Sequence, residues 1–100
     1  MDNSKPEFVM RVERIVRSCA DLPAAVENDY AVSVHKRRIA VIYCINGNYV
    51  IEGLFNRFNP FGNAKYPRLT AAVQKVENYY TGFLTTICNF EFVFRTEIVE

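Results

Sequence analysis

Apolar positions fall into two textures along the chain. From Phe8 they recur at Val9, Val12, Ile15, Val16 and Cys19, intervals that keep one helical stripe facing a core. Arg11, Glu13, Arg14 and Arg17 fall on the opposite side, and Glu7–Arg11 and Glu13–Arg17 are i,i+4 pairs in the favourable order. Ser4-Lys5-Pro6-Glu7 fits a capping box, in which the Ser hydroxyl and the Glu carboxylate satisfy the first backbone amides of a helix. The pattern predicts a helix ending near Asp21 or Leu22, stopped by Pro23. Ala24 to Asp29 reads as a turn.

The second texture begins at Tyr30. Tyr30-Ala31-Val32-Ser33-Val34 alternates and is β-branched, which predicts a strand. His35-Lys36-Arg37-Arg38 interrupts it as an exposed tip or edge. Ile39 to Ile45 and Tyr49 to Phe55 predict two further strands. Asn46-Gly47-Asn48 joins them, because Asn-Gly tolerates the positive φ angles of a tight hairpin turn. Asn56 to Tyr66 is a long loop in which Asn59-Pro60-Phe61-Gly62 reads as a type I turn. Pro67 opens a second helix with Leu69, Ala72, Val73, Val76, Tyr79, Tyr80 and Phe83 on its apolar face, and Gly82 reads as its stop. Thr85 to Val99 alternates again and predicts a last strand.

The expected architecture is a single α+β domain over residues 1–100. It has the order α-β-β-β-α-β, a four-stranded antiparallel sheet and two helices packed on one face. The run helix–strand–strand–strand–helix is similar in order to double-stranded RNA-binding domains and, with added strands, to type III secretion chaperones. The lysine cluster that the RNA-binding domain carries at its second helix is reduced here to Lys65, Arg68 and Lys75, so the likeness is one of element order.

Both faces of the middle strands are apolar: Ile39, Val41, Tyr43 and Ile45 on one, Ala40, Ile42 and Cys44 on the other. Two helices cover one face. The other needs the long loop, a second copy or a partner. The candidate contact is Ile42, Cys44, Val50 and Leu54, or the opposing set around Tyr43 and Ile51.

Composition supports a folded, aromatic-rich chain: of 100 residues, 50% are hydrophobic and 14% aromatic. The first residues are polar and mixed in charge, unlike a secretory leader. No apolar run nears the roughly 20 residues of a bilayer span. Three cysteines, Cys19, Cys44 and Cys88, sit among apolar neighbours, an odd count that suits buried thiols in a reducing cytoplasm. No C-x-x-C and no second histidine accompany His35, so neither a metal nor a cofactor is expected. No catalytic residue and no small-molecule substrate are marked either.

The net charge of +1 hides a gradient. Residues 1–29 hold six acids and four bases, residues 30–76 one acid and seven bases, and residues 77–100 four acids and one base. The basic middle contains His35, Lys36, Arg37 and Arg38. It also contains a second run with Arg57, Phe58, Phe61, Lys65, Tyr66 and Arg68, where cations interleave with aromatics as single-stranded nucleic acid requires. The functional expectation is a non-enzymatic protein-interaction module that self-associates through an apolar sheet face. The alternatives are binding of RNA or single-stranded DNA, or of an acidic protein, through residues 30–76.

Overall fold

The computed structural model of the protein describes residues 5–16, 28–54 and 60–99. Six strands and one helix follow in order: β1 (Glu7–Val16), β2 (Asn28–Val34), β3 (Arg37–Ile45), β4 (Asn48–Gly53), β5 (Lys65–Tyr66), α1 (Leu69–Ile87) and β6 (Val93–Val99). The strands form one curled sheet in the order β5-β4-β3-β2-β1-β6. All neighbouring pairs are antiparallel except β1 and β6, which run parallel. This corrects the expected fold. Among the described residues the protein is mostly β, with a mixed six-stranded sheet and one helix in place of a four-stranded antiparallel sheet and two helices. The likeness in element order to RNA-binding domains and secretion chaperones lapses with the first helix.

The correction turns on residues 7–16. Read with period two, Phe8, Met10 and Val12 form one face and Glu7, Val9, Arg11 and Glu13 the other. Valine and isoleucine at four of ten positions favour the extended chain. The β1 charges that suggested helical pairing are satisfied as strand neighbours: Arg11 meets Glu13 at 2.9 Å, and Glu7 meets Arg95 of β6 at 3.1 Å. Met10 and Val12 are fully buried between Val34 and Val32 of β2 and Thr96 and Ile98 of β6. The predicted Ser4 cap, Arg17, Cys19 and the turn at residues 24–27 lie outside the described residues.

The two tight hairpins share one geometry. Asn46 (φ 51°) and Gly47 (φ 79°) both adopt the left-handed conformation between Ile45 and Asn48, as the Asn-Gly pair predicts. His35 (φ 51°) and Lys36 (φ 65°) do the same between Val34 and Arg37, without a glycine. A side chain in that region costs about 1–2 kcal/mol. The His35 ring packs edge-on against Phe8 at 5.1 Å, which helps hold the turn. Lys36→Gly is expected to raise stability by about 0.5–1 kcal/mol, read as a higher urea midpoint at unchanged slope.

β3 carries a bulge. Val32 pairs with Ala40 but Ser33 with Arg38, which leaves Ile39 as the extra residue. Ile39 and Ala40 are both buried in the core as a result. The core fills the concave side of the sheet: Met10, Val12, Tyr30, Val32, Val34, Ile42 and Ile51 meet Ala72, Val73 and Val76 of α1. The loop before β5 contributes Phe61, which sits over Gly53 and against Tyr79 at 5.4 Å. A Cβ on Gly53 would lie 3.1 Å from that ring, so the backbone must be bare there for the loop to close.

The helix runs through Gly82, the expected stop, and five residues beyond it, into Thr85-Thr86-Ile87, where alternation predicts strand. Thr81, Thr85 and Thr86 each donate a hydroxyl hydrogen bond to the carbonyl four residues back, at 2.8, 2.8 and 2.9 Å. That gives the β-branched side chains a polar partner inside the helix. The last strand is therefore Val93–Val99 alone, and α1 serves as the crossover that brings it parallel to β1. No helix among the described residues is long and apolar enough to cross a membrane.

Candidate interaction edge and basic groove

The sheet divides the expected contact residues between its two sides. Ile42 and Ile51 are a cross-strand pair in the core beneath α1, and Cys44 lies on the same face, half-buried. Tyr43 and Val50 pair on the opposite, convex face and are half-buried there. The Tyr43 hydroxyl donates to Glu52 at 3.0 Å. The Leu54 amide donates to the Ile39 carbonyl at 2.8 Å, and its side chain is exposed. The six residues thus form no single patch. The concave face is filled by the helix, and the convex face mixes the charged side chains of Arg11, Glu13, Arg38, Glu52, Arg95 and Glu97 with Val9, Ala31, Val41, Tyr43 and Val50.

The basic residues also separate. Lys36 and Arg38 extend over the convex face beside Arg11 and Ser33, where two adjoining shallow grooves have volumes of about 230 and 320 Å³. His35 lines one of these grooves. Arg37 points to the other face, close enough to Tyr80 to act on its charge. Lys65 sits beside Val50, itself beside Tyr43, so it lies two strands over and roughly 17 Å down the sheet from Arg38. Arg68 caps the start of α1 through its backbone, on the Lys65 side. Of the aromatics, Phe61 is buried and Tyr66 packs against the core; Arg57 and Phe58 lie outside the described residues. The groove gains one cation, Arg11, that the sequence placed on a helix. It also gains two acids, Glu13 and Glu97.

The feature missing from the sequence reading is the β6 edge. β6 ends the sheet and pairs only with β1 among the described residues. The Val93 amide donates to the Pro6 carbonyl at 2.8 Å, so Val93, and by alternation Arg95, Glu97 and Val99, turn their polar backbone groups toward β1. Phe94, Thr96 and Ile98 turn theirs to the open edge. Apolar side chains stay exposed along it: Val93 at 47%, Ile98 at 43% and Val99 at 38%. On the concave side, Phe94 stacks near Tyr80, which stacks near Phe83 at 5.7 Å. Burial pushes the Tyr80 phenol above its usual range, Arg37 offsets part of that, and Cys88 adds to it. The Thr96 hydroxyl donates to Glu77 of α1 at 2.9 Å, which fixes the strand to the helix. On the convex side Arg95 donates to Glu7 and Glu97, and both bonds raise its already high pKa.

Edge strands with a row of unpaired amides and carbonyls recruit another strand unless they are blunted by lysine, proline or a bulge. The ladder with β1 is regular from Val93 to Val99, β6 contains neither lysine nor proline, and its two charged side chains, Arg95 and Glu97, bond each other, so no described residue blocks the outer side of the strand. The sequence signal for it is weak, because a strand is recognised as an edge only when its neighbours are known. No protein family, curated protein or solved structure matches the chain significantly.

Proposed function

We propose that the protein is an interaction module that acts by binding another protein strand, and that it self-associates. The contact is the β6 edge, not a sheet face. One observation carries this reading: a seven-residue edge strand leaves Phe94, Thr96 and Ile98 with outward-facing backbone groups and keeps Val93, Ile98 and Val99 exposed. Adding a strand there satisfies the amides and carbonyls and covers apolar surface in the same step. Ile87 and Phe90, also exposed at the end of α1, add apolar area between the helix and the strand.

Nucleic acid is the less favoured partner. Lys65 and Arg68 lie far from Lys36 and Arg38, the cations of the convex groove alternate with Glu13 and Glu97, and Phe61 is committed to the core. Carboxylates set among the cations repel phosphate and weaken the attraction that such a surface needs.

Sedimentation velocity across the micromolar range tests the reading. The mass is expected to climb from that of one chain toward twice that value as concentration rises. A mass fixed at one chain throughout removes it, and salt-sensitive retardation of an RNA by the same preparation would favour the basic groove instead.

A further inference from the structure

We infer that two copies join β6 to β6 in one defined register, antiparallel about a twofold axis through Thr96. This deepens the self-association reading and rests on it.

The backbone restricts the choice. Only Phe94, Thr96 and Ile98 offer polar groups to a new strand, so each must face one of the same three in the other copy. Three registers overlap the strand well. Centred on Arg95, the two copies oppose Arg95 to Arg95; centred on Glu97, they oppose Glu97 to Glu97. Like charges directly across a pair of strands are destabilising. Centred on Thr96, every pairing matches in kind. Thr96 meets Thr96 and Phe94 meets Ile98, each exchanging two backbone hydrogen bonds. Arg95 meets Glu97 and Val93 meets Val99 at the closely spaced positions between.

The faces match as well. Phe94, Thr96 and Ile98 share the concave side with α1, as the contacts of Phe94 with Tyr80 and of Thr96 with Glu77 require. Val93, Arg95, Glu97 and Val99 share the convex side. The pairing therefore sets apolar against apolar on both faces and places two Arg–Glu pairs symmetrically about the axis. A twofold interface must be self-complementary in this way. The sequence Val93-Phe94-Arg95-Thr96-Glu97-Ile98-Val99 reads the same from either end in polarity, with charge inverted about Thr96.

The test combines charge reversal with cross-linking in the full chain. Arg95→Glu alone and Glu97→Arg alone each set like charges face to face twice, and each should weaken association about tenfold or more. The double reversal R95E/E97R restores the opposition of unlike charges and should recover most of the loss. With Thr96→Cys, mild oxidation should give a disulfide between the two copies at position 96, mapped by peptide mass spectrometry. Val93→Cys should give none at position 93, because those residues sit roughly 20 Å apart across the axis. If the wild-type chain dimerises but the position-96 bond does not form and neither single reversal shifts the dimer constant, the register is wrong and self-association stands. If the wild-type chain is a monomer throughout, both are wrong.

Discussion

Met10→Ala is expected to lower stability by about 3 kcal/mol, while Val9→Ala costs less than about 1 kcal/mol. Met10 is fully buried on the concave face of β1, between Val34 of β2 and Thr96 of β6. Truncating it removes a large side chain from the middle of the sheet, where backbone ladders on both sides prevent collapse into the gap. Val9 points to the convex face, half-exposed, beside Arg11. A helix over the same residues predicts the reverse, since Val9 would join Val12 on the buried stripe and Met10 would face water. Urea denaturation of the two variants thus discriminates between the conformations. Equal costs, or a larger cost at Val9, would contradict the strand.

Ile42→Asp has the larger effect and is expected to abolish the folded state. Ile42 is fully buried at the centre of the sheet, with Tyr30 on one side and Ile51 on the other. A carboxylate there has no cation among its core neighbours, and burying it unpaired exceeds the several kcal/mol by which a domain of this size is stable. Val50→Asp, one strand away, changes side: it points to the convex surface next to Lys65 and Tyr43. Its cost should be no more than about 1 kcal/mol. Far-ultraviolet circular dichroism and amide dispersion report both. A folded Ile42→Asp protein would mean that the helix does not cover this face.

The elements that were legible in the sequence are those fixed by local chemistry. The Asn46-Gly47 turn pairs Ile45 with Asn48 because few other dipeptides accept two positive φ angles. The apolar stripe from Leu69 through Val76 and Tyr80 gives the helix. What was not legible depends on choices made elsewhere in the chain. Phe8, Val9, Val12 and Ile15 satisfy a helical period, while Phe8, Met10 and Val12 satisfy a strand period; neighbours on both sides decide between them. Once residues 7–16 are a strand, Val93–Val99 can pair with it in parallel, and that crossover creates the edge. The His35-Lys36 turn was obscured for a different reason. Its residue types do not announce left-handed backbone, and the Phe8 ring supplies part of what a glycine would have. The candidate contact residues followed the same logic. Alternation puts Ile42 and Tyr43 on opposite faces, but it groups Val50 with Ile42 and Ile51 with Tyr43; the β3–β4 register reverses that grouping by pairing Ile42 with Ile51 and Tyr43 with Val50, and which face the helix covers is set by the whole sheet.

Amide hydrogen exchange along β6, resolved by residue and repeated at low and high protein concentration, shows whether this edge takes up a second strand. Arg95 and Glu97 donate to β1, so their amides should be protected at every concentration. Phe94, Thr96 and Ile98 donate outward, so theirs should exchange rapidly when the protein is dilute and slow together as it associates. Protection at alternate residues that does not change with concentration would rule out association through β6, and protection lost equally at all five positions would rule out the β1–β6 ladder.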